Sequence, residues 1–464
     1  MALLLPFALL APSVAAQNRT IPLSAERAIP IVLGTSVVPL NGPWKFHVGD
    51  DPRWAAPEFD DSGWETIDLT PAEGAHDSDV GLTGYVPGWT AKGHAGYSGY
   101  AWYRITVSVS AMQRTRLALT GPPDVDDAYQ VFFDGRLLGS DGDFSARTPT
   151  AYSIQPRMFS LPKSAGALSA ANAGVDVLAF RVWMGAWSVN ESPDAGGIHI
   201  APAIGEKTAI DARYRLQWLE TVRGYIVDAV EPILFALLAM MACTLIAFDR
   251  SDPAYIWLSA ALLLTALVRA NQVLFFWTQS ESIQMFDVTR NGLLVPLGLG
   301  AWLIAWRAWF KLGHPGRIPK VIGGLVLLYT VAQLLSLATC PSVVPHAVYT
   351  MFHTLSVYMR LAFVLLLGRI VYSGVRHRGR EGWLAMPAVV LISIGLFAQE
   401  LSALHVPGIW FPYGTGVSRT QFAYAAFAVA LFVLLLHRLR FFARHSSGVA
   451  STSQSSDLQA EARK

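Results

Sequence analysis

The sequence predicts two structural classes in series, an all-β jelly-roll sandwich followed by an all-α bundle of seven membrane-spanning helices. Three observations predict this. Up to about Arg223, short runs of β-branched and aromatic residues alternate with turn dipeptides. Beyond that point come apolar blocks near the length that a bilayer core demands of a helix. Every second connection between those blocks carries Lys or Arg, while long stretches of the connections between them carry none. The chain is 53% hydrophobic and 15% charged, against roughly a quarter charged in soluble domains, and the apolar excess lies in its second half. A formal net charge of +2 is too small for the concentrated basic face of a nucleic-acid binder, so no nucleic-acid partner is expected.

Residues 1–16 have an apolar core and end in Val14-Ala15-Ala16, the small-residue pattern of a signal peptide cleaved before Gln17, although no Lys or Arg precedes Arg19. An exported, ligand-binding sandwich is expected over 17–214. Its strands include Tyr103 to Val109, Arg116 to Leu119, Tyr129 to Phe133 and Val175 to Trp183. Asp134-Gly135 tolerates positive φ and turns YQVFF back into RLLGS as a hairpin.

The membrane domain, 215–442, contains seven expected spans at 224–248, 254–277, 291–310, 321–339, 347–372, 383–404 and 420–439. Hydrocarbon leaves backbone polar groups no partner outside the segment, and the blocks lack the period-two alternation of a barrel, so helices are expected. Arg250, then Lys311, Arg317 and Lys320, then Arg376, Arg378 and Arg380 follow spans one, three and five, and Arg438, Arg440 and Arg444 end the seventh. The stretches 280–287, 341–345 and 405–416 have no Lys or Arg. This asymmetry puts the N-terminal domain outside and the C-terminus in the cytoplasm of a multi-pass membrane protein.

Ionisable residues inside apolar spans are costly and face the bundle interior or a partner. Glu231, Arg269, Arg360 and Glu400 are the intramembrane polar candidates, with Asp228 and His353 beside them. Glu231 and Arg269 lie at matched depths, which predicts an ion pair between the first two spans and a double neutral variant better tolerated than either single one. Cys243 and Cys340 are expected near opposite membrane faces, too far apart for a disulfide.

Pro39-Leu40-Asn41-Gly42 with Trp44-Lys45-Phe46, then Asp50-Asp51-Pro52, Phe59-Asp60-Asp61-Ser62 and Trp64, come in the order of a known pattern. It continues through Ala101-Trp102-Tyr103-Arg104, Val125-Asp126-Asp127-Ala128-Tyr129-Gln130-Val131, Asp134-Gly135, Val177-Leu178-Ala179 and Arg181-Val182. Over these roughly 160 residues the chain resembles the N-terminal sugar-binding domain of glycoside hydrolase family 2. The resemblance implies a galactose-binding-like sandwich. It does not imply hydrolysis, because in that family the paired carboxylates lie in a separate barrel domain. Asp60, Asp61, Asp124, Asp126 and Asp127 sit beside turns, where carboxylates serve as turn and cap residues. No catalytic residue, metal ligand or cofactor is assigned. Trp89, Tyr97, Trp183 and Trp187 lie in or beside Gly-rich loops and are the candidate ligand-binding residues, with packing or membrane-surface contact as the competing role. Trp44, Trp64 and Trp102 are expected in the core.

The last stretch, 443–464, reads as a Ser-rich cytoplasmic linker, then Leu458-Gln459-Ala460-Glu461-Ala462-Arg463 as the start of a connector helix capped by Ser456 or Asp457. This architecture resembles the bacterial seven-transmembrane receptors with diverse intracellular signalling modules. The tail resembles the connector to sporulation-type serine/threonine phosphatase domains. The resemblance implies a receptor: the sandwich senses a small ligand, a saccharide among the expected chemistries, and the helices relay the signal. The output module, a phosphatase by that resemblance, is expected to follow in a longer chain. The expected partners are the bilayer, the external ligand and the cytoplasmic module; a homodimer is left open. The alternative is a membrane-tethered carbohydrate-processing or transport protein, which internal repeats and broken helices would favour. No repeat is found, and Pro232 by itself is insufficient.

Overall fold

The computed structural model describes residues 29–31, 37–77, 81–109, 117–162, 175–188, 192–250, 252–313, 317–336, 346–404, 406 and 416–461. The expected signal peptide, Arg116 and Cys340 lie outside these residues. Cys243 is unpaired.

The N-terminal part is built from β-sheets. The largest has the order β4 (Glu65–Ile67), β3 (Trp44–Val48), β5 (Gly99–Val109), β11 (Val175–Met184), β8 (Ala128–Phe133) and β9 (Arg136–Asp141), with β1 (Ile29–Ile31) beside β5. A four-stranded sheet of β10 (Met158–Ser160), β6 (Leu117–Thr120), β13 (Ala203–Glu206) and β2 (Val37–Pro39) packs against it, and β7 (Val125–Asp126) pairs with β12 (Gly197–Ile198). Strand β11 is buried almost throughout, because both of its faces are covered. Leu178, Phe180, Val182 and Met184 face the core between the sheets, while Ala179 packs with Trp102 under Trp54, Trp64 and Phe59. This double burial makes its sequence read as a continuous apolar run rather than an alternation. Asp134 (φ 47) and Gly135 (φ 77) supply the two positive-φ residues of the hairpin between β8 and β9.

The motif residues have structural tasks. Trp44, Trp64 and Trp102 are buried, and the Trp44 indole donates to the Leu40 carbonyl at 2.7 Å. Arg104, 2% exposed, donates to Asp61 at 3.0 Å and to the Trp54 carbonyl. Arg181 makes a bidentate pair with Asp50 at 2.7 and 2.6 Å and lies over the Tyr100 ring. Asp51 caps a short 3-10 turn at Pro52–Ala55, and Asp60 accepts from the Ser62 amide at 3.0 Å.

The C-terminal part is helical. It comprises α1 (Lys207–Phe248), α2 (Ala254–Trp277), α3 (Ile283–Asp287), a π-helical segment (Val288–Leu294), α4 (Val295–Trp309), α5 (Arg317–Ser336), α6 (His346–Arg378), α7 (Arg380–Leu396), α8 (Ala398–Ala403) and α9 (Arg419–Glu461). Among the described residues, six helices are long and apolar enough to cross a membrane, with α3, the π segment and α4 counting as one. The sixth expected span is different. It divides at Phe397 into helices of 17 and 6 residues, and the shorter of them carries Glu400. Neighbouring rods run α1, α2, α4, α5, α6, α7, α9 and back to α1, with α4 also touching α6. The interior is dominated by Trp302, Trp306, Phe363, Phe427 and Leu431. Large apolar side chains such as Leu237, Leu267, Leu327, Leu365 and Val429 face outward. A contiguous apolar exterior of this kind suits hydrocarbon rather than water.

Several boundaries differ from those expected, three of them with consequences for the site or the domain division. Helix α1 starts at Lys207, so the expected division between 214 and 215 falls inside a helix. The third rod starts at Ile283 instead of 291, since Ser282 caps it by accepting from the Met285 amide at 3.2 Å. The expected Ser-rich linker after 443 is a continuation of α9, which runs to Glu461.

Candidate ligand site at the junction of sandwich and bundle

Strand β13 runs directly into α1, Glu206 being followed by the first helical residue Lys207. A second joint is made by the connection between α2 and α3. Gln279 donates to Asp141 at 2.5 Å and accepts from Arg157 at 2.6 Å, and Arg157 lies 3.3 Å from Asp141. The Ile283 amide donates to the Ala151 carbonyl at 3.0 Å.

Of the four loop aromatics, Trp89 is fully buried, packed on Phe46 and Tyr97. A Cβ on Gly196 would collide with its ring, which is why glycine stands there at φ +99. Its ring faces belong to the core. The Tyr97 hydroxyl donates to the Tyr100 carbonyl at 2.6 Å and accepts from the Gly49 amide at 3.1 Å. Trp183 is 6% exposed and meets Trp187 edge to face, ring centres 5.2 Å apart, in a cluster with Ala128, Ala151 and Ile283. Trp187 is partly exposed and, alone among the four, lines a cavity between sandwich and bundle.

The Trp187 loop is held by the adjacent acids of the motif. Asp127 accepts from the Gly185 amide at 2.8 Å and from the Ser188 hydroxyl at 2.7 Å. Asp126 accepts from the Gly196 amide at 2.8 Å and lies 3.1 Å from His199 Nε2, while His199 Nδ1 sits 2.9 Å from the Val86 carbonyl. Burial by itself would lower the His199 pKa; the Asp126 carboxylate overrides that and raises it to about 9. Burial, reinforced by the Asp126 charge, pushes Asp127 up to about 7. Both groups have folded-state values above their unfolded ones. Their contributions are therefore present at low pH and lost as pH rises, through about 7 for Asp127 and about 9 for His199. Wild-type protein is expected to lose stability, on the order of 2 kcal/mol, between about pH 6.5 and 9 relative to the His199→Gln variant. Thermal unfolding of the full chain in detergent, followed against pH, checks this; parallel profiles would remove His199 as the cause.

The cavity has a volume of about 610 Å³ and occupies the sandwich end of the bundle. This lies within the roughly 300–1,000 Å³ of small-molecule sites. Three arginines line it: Arg269, Arg290 and Arg360. Two have carboxylate partners. Arg269 Nε lies 2.6 Å from Glu231 Oε2 and its Nη2 contacts Asp228, which also accepts from Gln421 Nε2 at 3.0 Å. Arg360 Nη2 donates to Glu400 Oε2 at 2.8 Å and to the Leu396 carbonyl at 3.0 Å, and its Nε also contacts Glu400. Arg269 and Glu400 thus have different partners, one toward α1 and the other toward α6.

Arg290 and Asn291 are site residues that sequence reasoning missed. Counting the stretch 280–287 as an outer connection and starting the span at 291 left Arg290 at a boundary. The structure puts it in the π-helical segment, on the cavity wall. The Ser282 cap ahead of Ile283 was the available signal. Neutral amides at Gln272, Gln333 and Gln399 were missed because only ionisable residues were sought inside spans.

No family model matches the chain, and no curated protein matches it. Similar solved structures include a β-glucuronidase of Bacteroides uniformis, 18% identical over 37% of this chain and 18% of that chain, with a TM-score of 0.26. A glycosyl hydrolase family 2 member of Bacteroides cellulosilyticus is 16% identical over 37% and 20% of the two chains, TM-score 0.22. The β-glucuronidase of Bifidobacterium dentium, complexed with coumarin-3-O-glucuronide, is 15% identical over 39% and 32%, TM-score 0.24. The chain spans 18–32% of the length of these enzymes, and a likeness of this extent carries nothing about their activity to it.

Proposed function

We propose that this chain is the sensory part of a signalling receptor of the bacterial plasma membrane. In this reading the sandwich lies outside, the seven rods all cross the bilayer, and a small ligand, a saccharide among the candidates, is sensed at the outer end. A cytoplasmic module, for which the phosphatase-like connector is the motivating resemblance, responds. The observation that carries the reading is the double joint between sandwich and bundle, namely β13 entering α1 without a linker and Gln279 with Ile283 docked on the sandwich. A ligand changes the output only if it binds two states of the bundle unequally, and rigid joints transmit such a difference.

The test is a glycan screen on the full chain in nanodiscs, read by thermal stabilisation. At least one saccharide is expected to raise the unfolding temperature, and Trp187→Ala should weaken its binding about tenfold while leaving the apo protein folded, as loss of an aromatic contact worth roughly 1 kcal/mol or more does. Orientation is tested separately: Ser280→Cys should react with impermeant maleimide in intact spheroplasts and Gly313→Cys should not. The reverse labelling pattern would discard the topology. A transport reading is favoured by the helix break at Phe397, since broken helices line transporter sites. Time-dependent accumulation of the stabilising saccharide in proteoliposomes would replace the receptor with that reading.

A further inference from the structure

We propose that the junction cavity binds a carboxylate-bearing saccharide or polyol, with Arg290 taking the carboxylate and neighbouring amides and aromatic rings taking the sugar body. The proposal rests on the chain being a ligand receptor, and it names both the ligand class and a place for it inside the bundle rather than on the sandwich alone.

Arg290 differs from the other two arginines on the wall. Among the described residues no carboxylate lies within 4.0 Å of its guanidinium, with Asp287 acting on it only from farther away; its Nη1 makes one long hydrogen bond, to Asn291 Oδ1 at 3.4 Å, and its guanidinium carbon stands 5.7 Å from the centre of the Phe286 ring. Its Nε is buried without a hydrogen-bond partner among those residues. Asp287, which also lines the cavity, is turned to Asn291 Nδ2 at 3.0 Å. A guanidinium offers five donors in a planar fork, and at membrane depth an under-used one favours an anion that accepts two of them at once. The segment carrying it is π-helical, a distortion that recurs at functional sites because it turns side chains out of the regular helical stripe.

The remainder of the wall fits a hydroxylated body. Gln399 brings an amide that both donates and accepts, the combination that hydroxyls need, and the remaining donors and acceptors of Gln272, Asn291 and Gln333, which also bond Arg269, Asp287 and Tyr329, add to it. Trp187, which meets Trp183 edge to face, brings apolar ring surface that suits the C–H face of a sugar ring better than a fully solvated ion, while Phe276 and Phe286, stacked on Tyr225 and Phe275, add apolar wall beside it. Arg269 and Arg360 are occupied by Asp228, Glu231 and Glu400, so one anionic group, and not several, is the expected complement.

The experiment uses the full chain in nanodiscs, titrated with D-glucuronate and D-galacturonate, with their neutral parents glucose and galactose, and with succinate as a carboxylate without a sugar body. Binding is followed by intrinsic tryptophan fluorescence and by thermal stabilisation. A uronate is expected to bind at least about tenfold tighter than its neutral parent. Arg290→Gln should weaken uronate binding roughly thirtyfold, as loss of one partner of a desolvated charge pair does. Arg290→Lys should keep part of the preference for acids. If Arg290→Gln does not fold, the uronate-to-parent ratio on wild-type protein and the Arg290→Lys titration decide. No binding of either uronate, equal binding of the neutral parents or of succinate, or uronate binding unmoved by the Arg290 variants would each overturn the proposal. A neutral saccharide that depends on Trp187 and not on Arg290 would overturn it while leaving the receptor reading intact; absence of any saccharide response would remove both.

Discussion

Replacing Arg269 by Gln is expected to destabilise the detergent-purified protein by about 3–5 kcal/mol, the loss seen when one partner of a buried ion pair is removed. Two carboxylates on adjacent turns of α1, Asp228 at 0% exposure and Glu231 at 1%, converge on this one guanidinium. Its removal leaves two buried carboxylates without a counter-charge, Asp228 keeping only its neutral partner Gln421. Glu231→Gln should cost less, because Asp228 still holds Arg269 and is itself held by Gln421 at 3.0 Å. From matched depths alone the pair Glu231→Gln with Arg269→Gln would be tolerated better than either single change. The third member of the cluster alters that expectation: the double variant keeps Asp228 charged and should recover only part of the loss, whereas adding Asp228→Asn recovers more. Thermal unfolding of the singles, the double and the triple, treated as a mutant cycle, measures the coupling. Strictly additive losses would mean that the three groups do not share one network.

Arg360→Gln is expected to have the next largest effect, about 2–4 kcal/mol, because its guanidinium serves two orphaned groups at once. The helix break at Phe397 ends α7 and leaves the Leu396 carbonyl without a helical partner; Arg360 Nη2 donates to it at 3.0 Å. The same nitrogen reaches Glu400 on α8 at 2.8 Å, so the side chain staples both sides of the break to α6. Arg360→Lys should rescue little, since an ammonium cannot present the planar fork that spans a carboxylate and a carbonyl. Amide hydrogen exchange over 393–404 gives a readout specific to the break. Faster exchange there with unchanged exchange in α9 is the expected pattern, and unchanged exchange at 393–404 would contradict the stapling role.

The parts of this protein legible in its sequence are those that depend on local periodicity and on solvent. Apolar blocks of membrane length, the turn at Asp134-Gly135 and the buried Trp44, Trp64 and Trp102 could be read because each is set by neighbours within a few residues or by burial of the whole segment. The candidate site was only partly legible. Glu231 and Arg269 stood out as charges in apolar helices, and their equal depth pointed to each other. Arg290 did not, because a π-helical start to the third rod moved it from a presumed loop into the bundle. The break at Phe397 was hidden for a related reason. A carbonyl freed there is tolerable only because Arg360, 36 residues earlier, can reach it. Trp89 read like a loop aromatic, yet the approach of Gly196 to its ring places it in the core.

By itself, then, the sequence determined a β-rich domain followed by apolar helices, and which residues are too polar or too large to sit just anywhere, since hydrophobic length and side-chain chemistry are properties of the chain alone. The tertiary structure decided which of those residues meet. It gave Asp228 to Arg269, Glu400 to Arg360 and Trp187 to the cavity beneath the sandwich, and among the described residues it placed no carboxylate within ion-pair distance of Arg290. The physical reason is that the desolvation cost of a charge is set by where its segment goes, whereas the compensation comes from a residue tens of positions away whose approach only helix packing specifies.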